Sequence, residues 1–391
     1  MSRASSFPLG AALTVAELED DPHPALHRLR AHEPVSFVPA LSAWLVTSRA
    51  HALTVMRDDE AFTVDDPRFS TGQVVGPSML SRDGDEHARH RGPFARPFRL
   101  AATRERLEGA VDAETSRLVD AIAGAGGGDL RSDLAAPLAT RVMLVALGLE
   151  SLSSELVLGW YAEIVSAVSG INLGIEPPPA ASRAVSLLAA EITAAAGQTA
   201  PPSLLRDAAG HAAGVTPDEI ASNAAVLLFG GIETTEGMIA TLLLELLGHA
   251  DQLELARERR ELRANAIEES LRHEPAAASV DRYATRDIEL GGASIGKGEL
   301  VTVSLTGANR DPATFSDPDR FAIARENARL HLAFAQGPHV CLGMHLARLE
   351  ARAALDAALE RLPGLRLDPA RSASVRGLVF RKPDAVPVLA G

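Results

Sequence analysis

Phe334-Ala-Gln-Gly-Pro-His-Val-Cys-Leu-Gly343 carries the only cysteine of the 391-residue chain, Cys341, immediately ahead of a long helical pattern. A lone thiol has no disulfide partner within the chain. Gly337 and Gly343 let the backbone fold closely around the sulfur. A helix beginning near Leu342 would aim its free N–H groups and the positive end of its dipole at it. Both effects favour thiolate over thiol, and a thiolate is the ligand a soft iron centre takes. Against this stands the ordinary fate of a free cysteine, packing as a small buried hydrophobe. The loop alone does not decide between them, and other segments must.

Upstream, Thr216-Pro-Asp-Glu219 opens a segment running to about His249. It supplies an N-cap, a first-turn proline and a capping-box glutamate, so one long helix is expected. Gly230-Gly231 sits in its middle, where each glycine costs ~1 kcal/mol relative to alanine. Glu233-Thr234-Thr235 follows the apolar run Ala224–Phe229. From Thr234 a hydroxyl can return to the carbonyl of Gly230, four residues back, and loosen the helix there. That would open a groove bearing a hydroxyl and a carboxylate, suited to a water and a polar diatomic ligand. Tight packing through the glycines is the competing reading, and local rule-breaking of this kind gathers at functional sites.

Glu269-Ser-Leu-Arg272 places a carboxylate and a guanidinium three residues apart on one helix face, a spacing common among weak surface pairs. Asn309-Arg-Asp-Pro312 and Asp317-Pro-Asp-Arg-Phe321 form a turn-rich meander before the cysteine loop. From there Arg320 could complete a bidentate cluster with Glu269. His87 and Arg91 share a helix face at i and i+4, Arg282 opens a β-like run, and His339 lies two residues before Cys341. Singly these are ordinary structural or surface groups. Together they make sense if they converge on the carboxylates of a cofactor.

The rest of the chain is mainly α, with helical periodicity over 104–123, 134–148, 152–169 and 183–196, broken at Gly124–Gly128 and Pro177–Pro179. Small β regions are expected near 35–47 and 282–305. No long polar linker, repeat or low-complexity tract divides it, so residues 1–391 are expected to form one catalytic domain. With 46% hydrophobic and 23% charged residues the composition is that of a globular protein, and no apolar run approaches the ~18 residues of a membrane span. The apolar stretch Phe7–Ala16 is interrupted by Pro8, Gly10 and Thr14 and reads as a mature N-terminus. A single cysteine then suggests the reducing cytoplasm. A net charge of −13 argues against broad nucleic-acid binding. Six arginines between 89 and 106 (Arg89, Arg91, Arg96, Arg99, Arg104, Arg106) could still dock a small acidic partner, or form a solvated helix face.

In order and spacing, Gly230-Gly-Ile-Glu-Thr-Thr235, Glu269-Ser-Leu-Arg272, Asp319-Arg-Phe321 and the Cys341 loop resemble the cytochrome P450 family, in its soluble bacterial form, from about residue 20 to the C-terminus. The resemblance implies a helix-rich fold with small sheets and heme b (iron protoporphyrin IX) between the long helix and the cysteine loop, with Cys341 as the metal ligand. It further implies that His87, Arg91, Arg282 and His339 hold the heme propionates. Glu233 and Thr234 look like the acid–alcohol pair that relays protons to O2, and Glu269, Arg272 and Arg320 like a structural triad. One departure is Ala335, where the family usually has glycine, a small added methyl near the heme.

The implied activity is that of a monooxygenase inserting one oxygen atom from O2 into a hydrophobic small molecule. No G-x-G-x-x-G nucleotide motif follows a strand, so electrons would come from a separate ferredoxin and ferredoxin reductase, docking near 89–106 and Arg348. By the same resemblance the substrate pocket is lined by Val75, Met79, Leu80, Val226, Phe229, Gly230, Ala278, Val280, Val379 and Phe380. Oxidative coupling, ring closure or desaturation on the same fold remains open, as does a non-catalytic heme sensor. A cysteine hydrolase using His339 as base is disfavoured, because a histidine two residues away is poorly placed and no orienting third group is evident.

Overall fold

A computed structural model describes residues 3–172, 174–197, 203–210, 214–371 and 373–391. Its axis is the helix Pro217–Gly248, which stays continuous through both glycines. The expected capping box is present: Thr216 Oγ1 accepts from the Glu219 N–H at 3.3 Å, and Glu219 Oε2 accepts from the Thr216 N–H at 2.8 Å. Arg89 adds a two-pronged ion pair to the same Glu219 at 2.6 and 2.9 Å, which ties the helix start to the helix Gly84–Ala95. The axial helix is long and apolar enough to cross a membrane, contrary to the sequence reading, but 78% of its most apolar window is buried inside the protein. Its apolar residues contact protein on nearly every side, as a helix without a polar face must.

Around it pack the helices Ala136–Leu147, Pro179–Ala196, Arg263–His273 and Met344–Arg361, with Leu100–Ala125 laid against the last. The break expected at Gly124–Gly128 falls where Gly126 takes a left-handed φ of 74° and caps Leu100–Ala125. Gly127–Asp129 then runs as a strand beside Pro387–Leu389, which also pairs Arg366–Leu367. These C-terminal strands are too short to leave an alternating pattern in the sequence.

The main sheet has five strands in the order Val35–Val38, Ala43–Val46, Leu300–Ser304, Ser279–Ala284, Phe62–Thr63. Ala43–Val46 runs parallel to Leu300–Ser304, Trp44 opposite Val301, while the other pairs are antiparallel. The run 288–295 is not part of it. Gly291 and Gly292, at φ of 57° and 83°, fold it into a separate hairpin. A second hairpin, Val375–Arg376 with Lys382–Pro383, lies against the axial helix and bears on the site below.

Candidate functional site

The cysteine loop crosses between the sheet and the axial helix. The Cys341 N–H donates to Phe334 O at 2.8 Å, closing the loop, and Arg91 donates to Val340 O at 2.6 Å. Gly337 has a φ of 77°, and a Cβ there would run into the Met56 carbonyl oxygen, so this glycine is required by close approach. Ala335 also sits in the left-handed region, at φ 55°. The departure noted in the sequence is therefore a matter of backbone conformation, which an L-residue adopts at a cost of ~1–2 kcal/mol. Ala335→Gly is expected to stabilise the protein by about 1 kcal/mol, read as a raised unfolding midpoint, with the cysteine loop unchanged.

Cys341 itself is half-buried. Burial pushes its thiol up from the ordinary value, while the N–H groups of Gly343 and Met344 and the charges of Arg91 and Arg348 pull it down without prevailing. The sequence reading counted only the second set. A metal cation at the sulfur would deprotonate the thiol outright.

His87 and His339 face each other with ring centroids 4.4 Å apart. His339 Nε2 lies 2.6 Å from Asp83 Oδ1, a partner the sequence reading did not find. Asp83 also accepts from Thr63 Oγ1 at 2.5 Å and the Val64 N–H at 2.8 Å. Burial drives its carboxyl up, but those contacts outweigh it and hold it well below the usual range. His87 is pushed down to about 4, first by burial and then by His339 and Arg91, so its ring is neutral near pH 7. Its Nε2 is buried and has no hydrogen-bond partner among the described residues. Arg282 is 5% exposed, yet its described side-chain hydrogen bond goes only to the adjacent Asp281 carbonyl, and no ion pair is described for it. Two buried or half-buried arginines and an orphaned imidazole nitrogen on one side of the cysteine loop leave anion-binding capacity unmet. Burying such groups unpaired is costly. A two-carboxylate cofactor with a thiolate-seeking metal fits this donor set.

On the axial helix, Thr234 Oγ1 donates to Gly230 O at 2.6 Å. The two glycines separate in role. A Cβ at Gly231 would meet Met143 Sδ at 2.5 Å, whereas at Gly230 it would meet nothing within 4 Å. Gly231 is there for packing, and Gly230 borders open space. Glu233 is 5% exposed, and burial raises its carboxyl above the ordinary value against the pull of Lys382, whose Nζ lies 3.0 Å from both of its oxygens.

Of the expected pocket residues, Val75, Met79, Leu80, Val226, Phe229 and Phe380 share one apolar cluster. Phe229 meets Phe380 edge-on at 5.5 Å. Tyr161, unforeseen, lies 6.3 Å from Phe229 between ring centroids, and its hydroxyl is buried without a partner among the described residues. Val280 packs instead with the sheet cluster. Ala278 and Val379, joined by a 2.9 Å backbone hydrogen bond, line a separate cavity of about 90 Å³ between the sheet and the N-terminal helices, which none of the other expected pocket residues lines.

The triad also needs correcting. Glu269 and Arg272 form a two-pronged pair at 2.7 and 2.8 Å with neither side chain exposed. The third member is Arg325, at 3.0 Å from Glu269 Oε1. Asp317, at φ 48°, turns the meander so that the carbonyls of Pro318 and Arg320 face Arg272, and the Arg320 side chain is left exposed. Five residues later Arg325 reaches back, also binding the carbonyls of Ser316, Asp317 and Arg320.

Comparison with known proteins agrees with this architecture. The family model described as Cytochrome P450 matches residues 202–365. Nocardicin C N-oxygenase of Nocardia uniformis subsp. tsuyamanensis is 33% identical over 98% of each chain. The chain is a cytochrome P450. Cytochrome P450 monooxygenase PikC of Streptomyces venezuelae is 34% identical, covering 89% of this chain and 85% of its own. The solved structure of cytochrome P450 CREJ in complex with (4-ethylphenyl) dihydrogen phosphate superposes with a TM-score of 0.88 at 28% identity, covering 98% of this chain and all of that one. As a member of this family the P450 is a heme b-dependent oxidoreductase of the monooxygenase class. Of the arginines between 89 and 106, Arg89 is committed to Glu86 and Glu219, and Arg106 to Asp207. Arg96, Arg99 and Arg104 are exposed with no ion pair among the described residues. Arg348 pairs with Glu268 and lies over the Phe334 ring.

Proposed function

We propose that this P450, acting as one catalytic domain over 1–391, inserts an oxygen atom from O2 into a hydrophobic small molecule. The electrons come from a separate ferredoxin and its reductase. The observation that carries the reading is the pairing of Thr234 beside open space at Gly230 with a buried Glu233 in the preceding position, whose carboxyl burial makes more basic than an exposed one. A heme sensor has no need of that pair, whereas oxidative coupling or desaturation would draw on the same oxygen activation. Cys341 holds the iron, and His87, Arg91, Arg282 and His339 are the candidates for the heme carboxylates. When bound, the heme supplies oxygen activation and oxidising power.

The protein directs the protons. A hydroxyl has one O–H to donate. Thr234 spends it on Gly230 O, so Oγ1 is left with acceptor lone pairs and favours a guest that bears a proton. Burial keeps the Glu233 carboxyl more basic than an exposed one, which lets it store a proton and hand it on. The apolar cluster of Val75, Met79, Leu80, Val226, Phe229 and Phe380 excludes water from the substrate side, and the unpartnered Tyr161 hydroxyl offers it a polar contact. Arg96, Arg99 and Arg104 offer an acidic ferredoxin free cations at close range. A cytoplasmic setting belongs to the same reading, since the Cys341 sulfur has to stay reduced to bind as a thiolate.

The test is product formed per NADPH consumed, with ferredoxin and reductase supplied. Thr234→Ala is expected to keep heme and substrate binding but divert reducing equivalents into hydrogen peroxide. Glu233→Gln is expected to slow turnover by ~100-fold or more and raise the solvent isotope effect. Unchanged coupling and rate in both variants would overturn the reading.

A further inference from the structure

The carboxylate of Glu233 is held from outside its own helix. Lys382 Nζ lies 3.0 Å from both Glu233 oxygens and 3.0 Å from Glu236 Oε2. Arg131, from the turn ahead of Ala136–Leu147, grips Glu236 Oε1 at 2.7 Å and the Asp384 carbonyl at 2.7 Å. Two acids of one helix are thus locked to two cations from two other elements. Lys382 belongs to the C-terminal hairpin, and its seat on the axial helix is Gly237, one turn beyond Glu233. A Cβ at Gly237 would meet the Arg381 carbonyl oxygen and Lys382 Cβ at 3.3 Å each, and Ala276 Cβ at 3.1 Å. Two residues before Lys382 stands Phe380, which bridges to Ala277 and packs on Phe229. The short segment Phe380–Lys382 therefore touches both the apolar pocket wall and the candidate proton donor.

We propose that Lys382 is a positioning residue for proton delivery: seated on Gly237, it holds the Glu233 carboxylate in place and sets its proton affinity. This rests on the reading of Glu233 as proton donor and adds the hairpin as the element that controls it. The main charged groups facing Glu233 are Lys382, Arg131 from the preceding turn, and Glu236 on its own helix. Among the described residues Lys382 is the only cation bonded to Glu233, so removing it leaves a buried carboxyl beside a second acid. Both conditions favour the protonated form.

The test reads the Glu233 carboxylic-acid infrared band against pH in the heme-loaded enzyme, the band being assigned by its loss in Glu233→Gln. Lys382→Met is expected to raise the proton affinity of Glu233 by about tenfold or more, and Lys382→Arg to restore it. Gly237→Ala keeps every charge but lifts the strand from its seat, and is expected to move the band in the same direction as Lys382→Met. Should Lys382→Met or Gly237→Ala titrate like the wild type, the proposal is overturned. Product per NADPH separates the two readings. A moved band with Glu233→Gln turning over normally defeats the proton-donor role while Lys382 keeps its hold. Slow Glu233→Gln with a band indifferent to Lys382 defeats this proposal alone.

Discussion

Replacing Cys341 by serine is expected to abolish the strongly red-shifted Soret band that the reduced, carbon monoxide-bound enzyme should show, and with it turnover. Serine keeps the size and the loop hydrogen bond at the backbone N–H of residue 341, so the loop itself has no reason to move. What it lacks is the polarisable sulfur that a soft metal prefers, and its hydroxyl is far harder to ionise in a buried setting. A wild-type spectrum of the histidine-ligated kind would remove Cys341 from the metal.

A comparable loss, in stability, is expected at Glu269. Its carboxylate accepts from Arg272, Arg325 and the Ala322 N–H, deep enough that neither Glu269 nor Arg272 is exposed. Glu269→Ala leaves two guanidiniums buried without their counterion, and breaking such a pair costs about 3–5 kcal/mol. Chemical denaturation should register this, and heme retention should fall with it, because the meander carrying Arg325 leads directly into the cysteine loop. Arg325→Ala should be clearly destabilising, whereas Arg320→Ala should change stability by no more than about 0.5 kcal/mol, since its side chain is exposed. Equal losses at 320 and 325 would contradict the assignment of the third partner.

The Arg320 error marks where sequence reading stops. Capping, the long helix, the Thr234–Gly230 contact and the cysteine loop are legible because their partners lie within a few residues of each other. Whether Arg320 or Arg325 turns inward depends on the bend at Asp317, a backbone event that no spacing rule announces. Lys382 lies 149 residues from Glu233, and Asp83 lies 256 from His339. Neither has a local pattern to betray it. Ala335 is an intermediate case: its departure from glycine is visible in the sequence, but its physical meaning needs the φ angle. That Ala278 and Val379 line a cavity facing the N-terminal helices is likewise invisible in the sequence, because the residues opposite them lie hundreds of positions away.

The mixed sheet also says something about how the protein must be made. Ala43–Val46 finds its antiparallel neighbour a few residues away, but its parallel neighbour Leu300–Ser304 is roughly 250 residues downstream. On a ribosome adding ~5–20 residues per second, that interval lasts roughly 10–50 s. Throughout it, Ala-Trp-Leu-Val presents an open, wholly apolar edge, the kind of template on which chains pair wrongly with one another. Yield in a recombinant host should therefore respond to cooler growth and to chaperones that bind extended apolar segments. A fragment ending before residue 300 should aggregate even though most of its helices are complete.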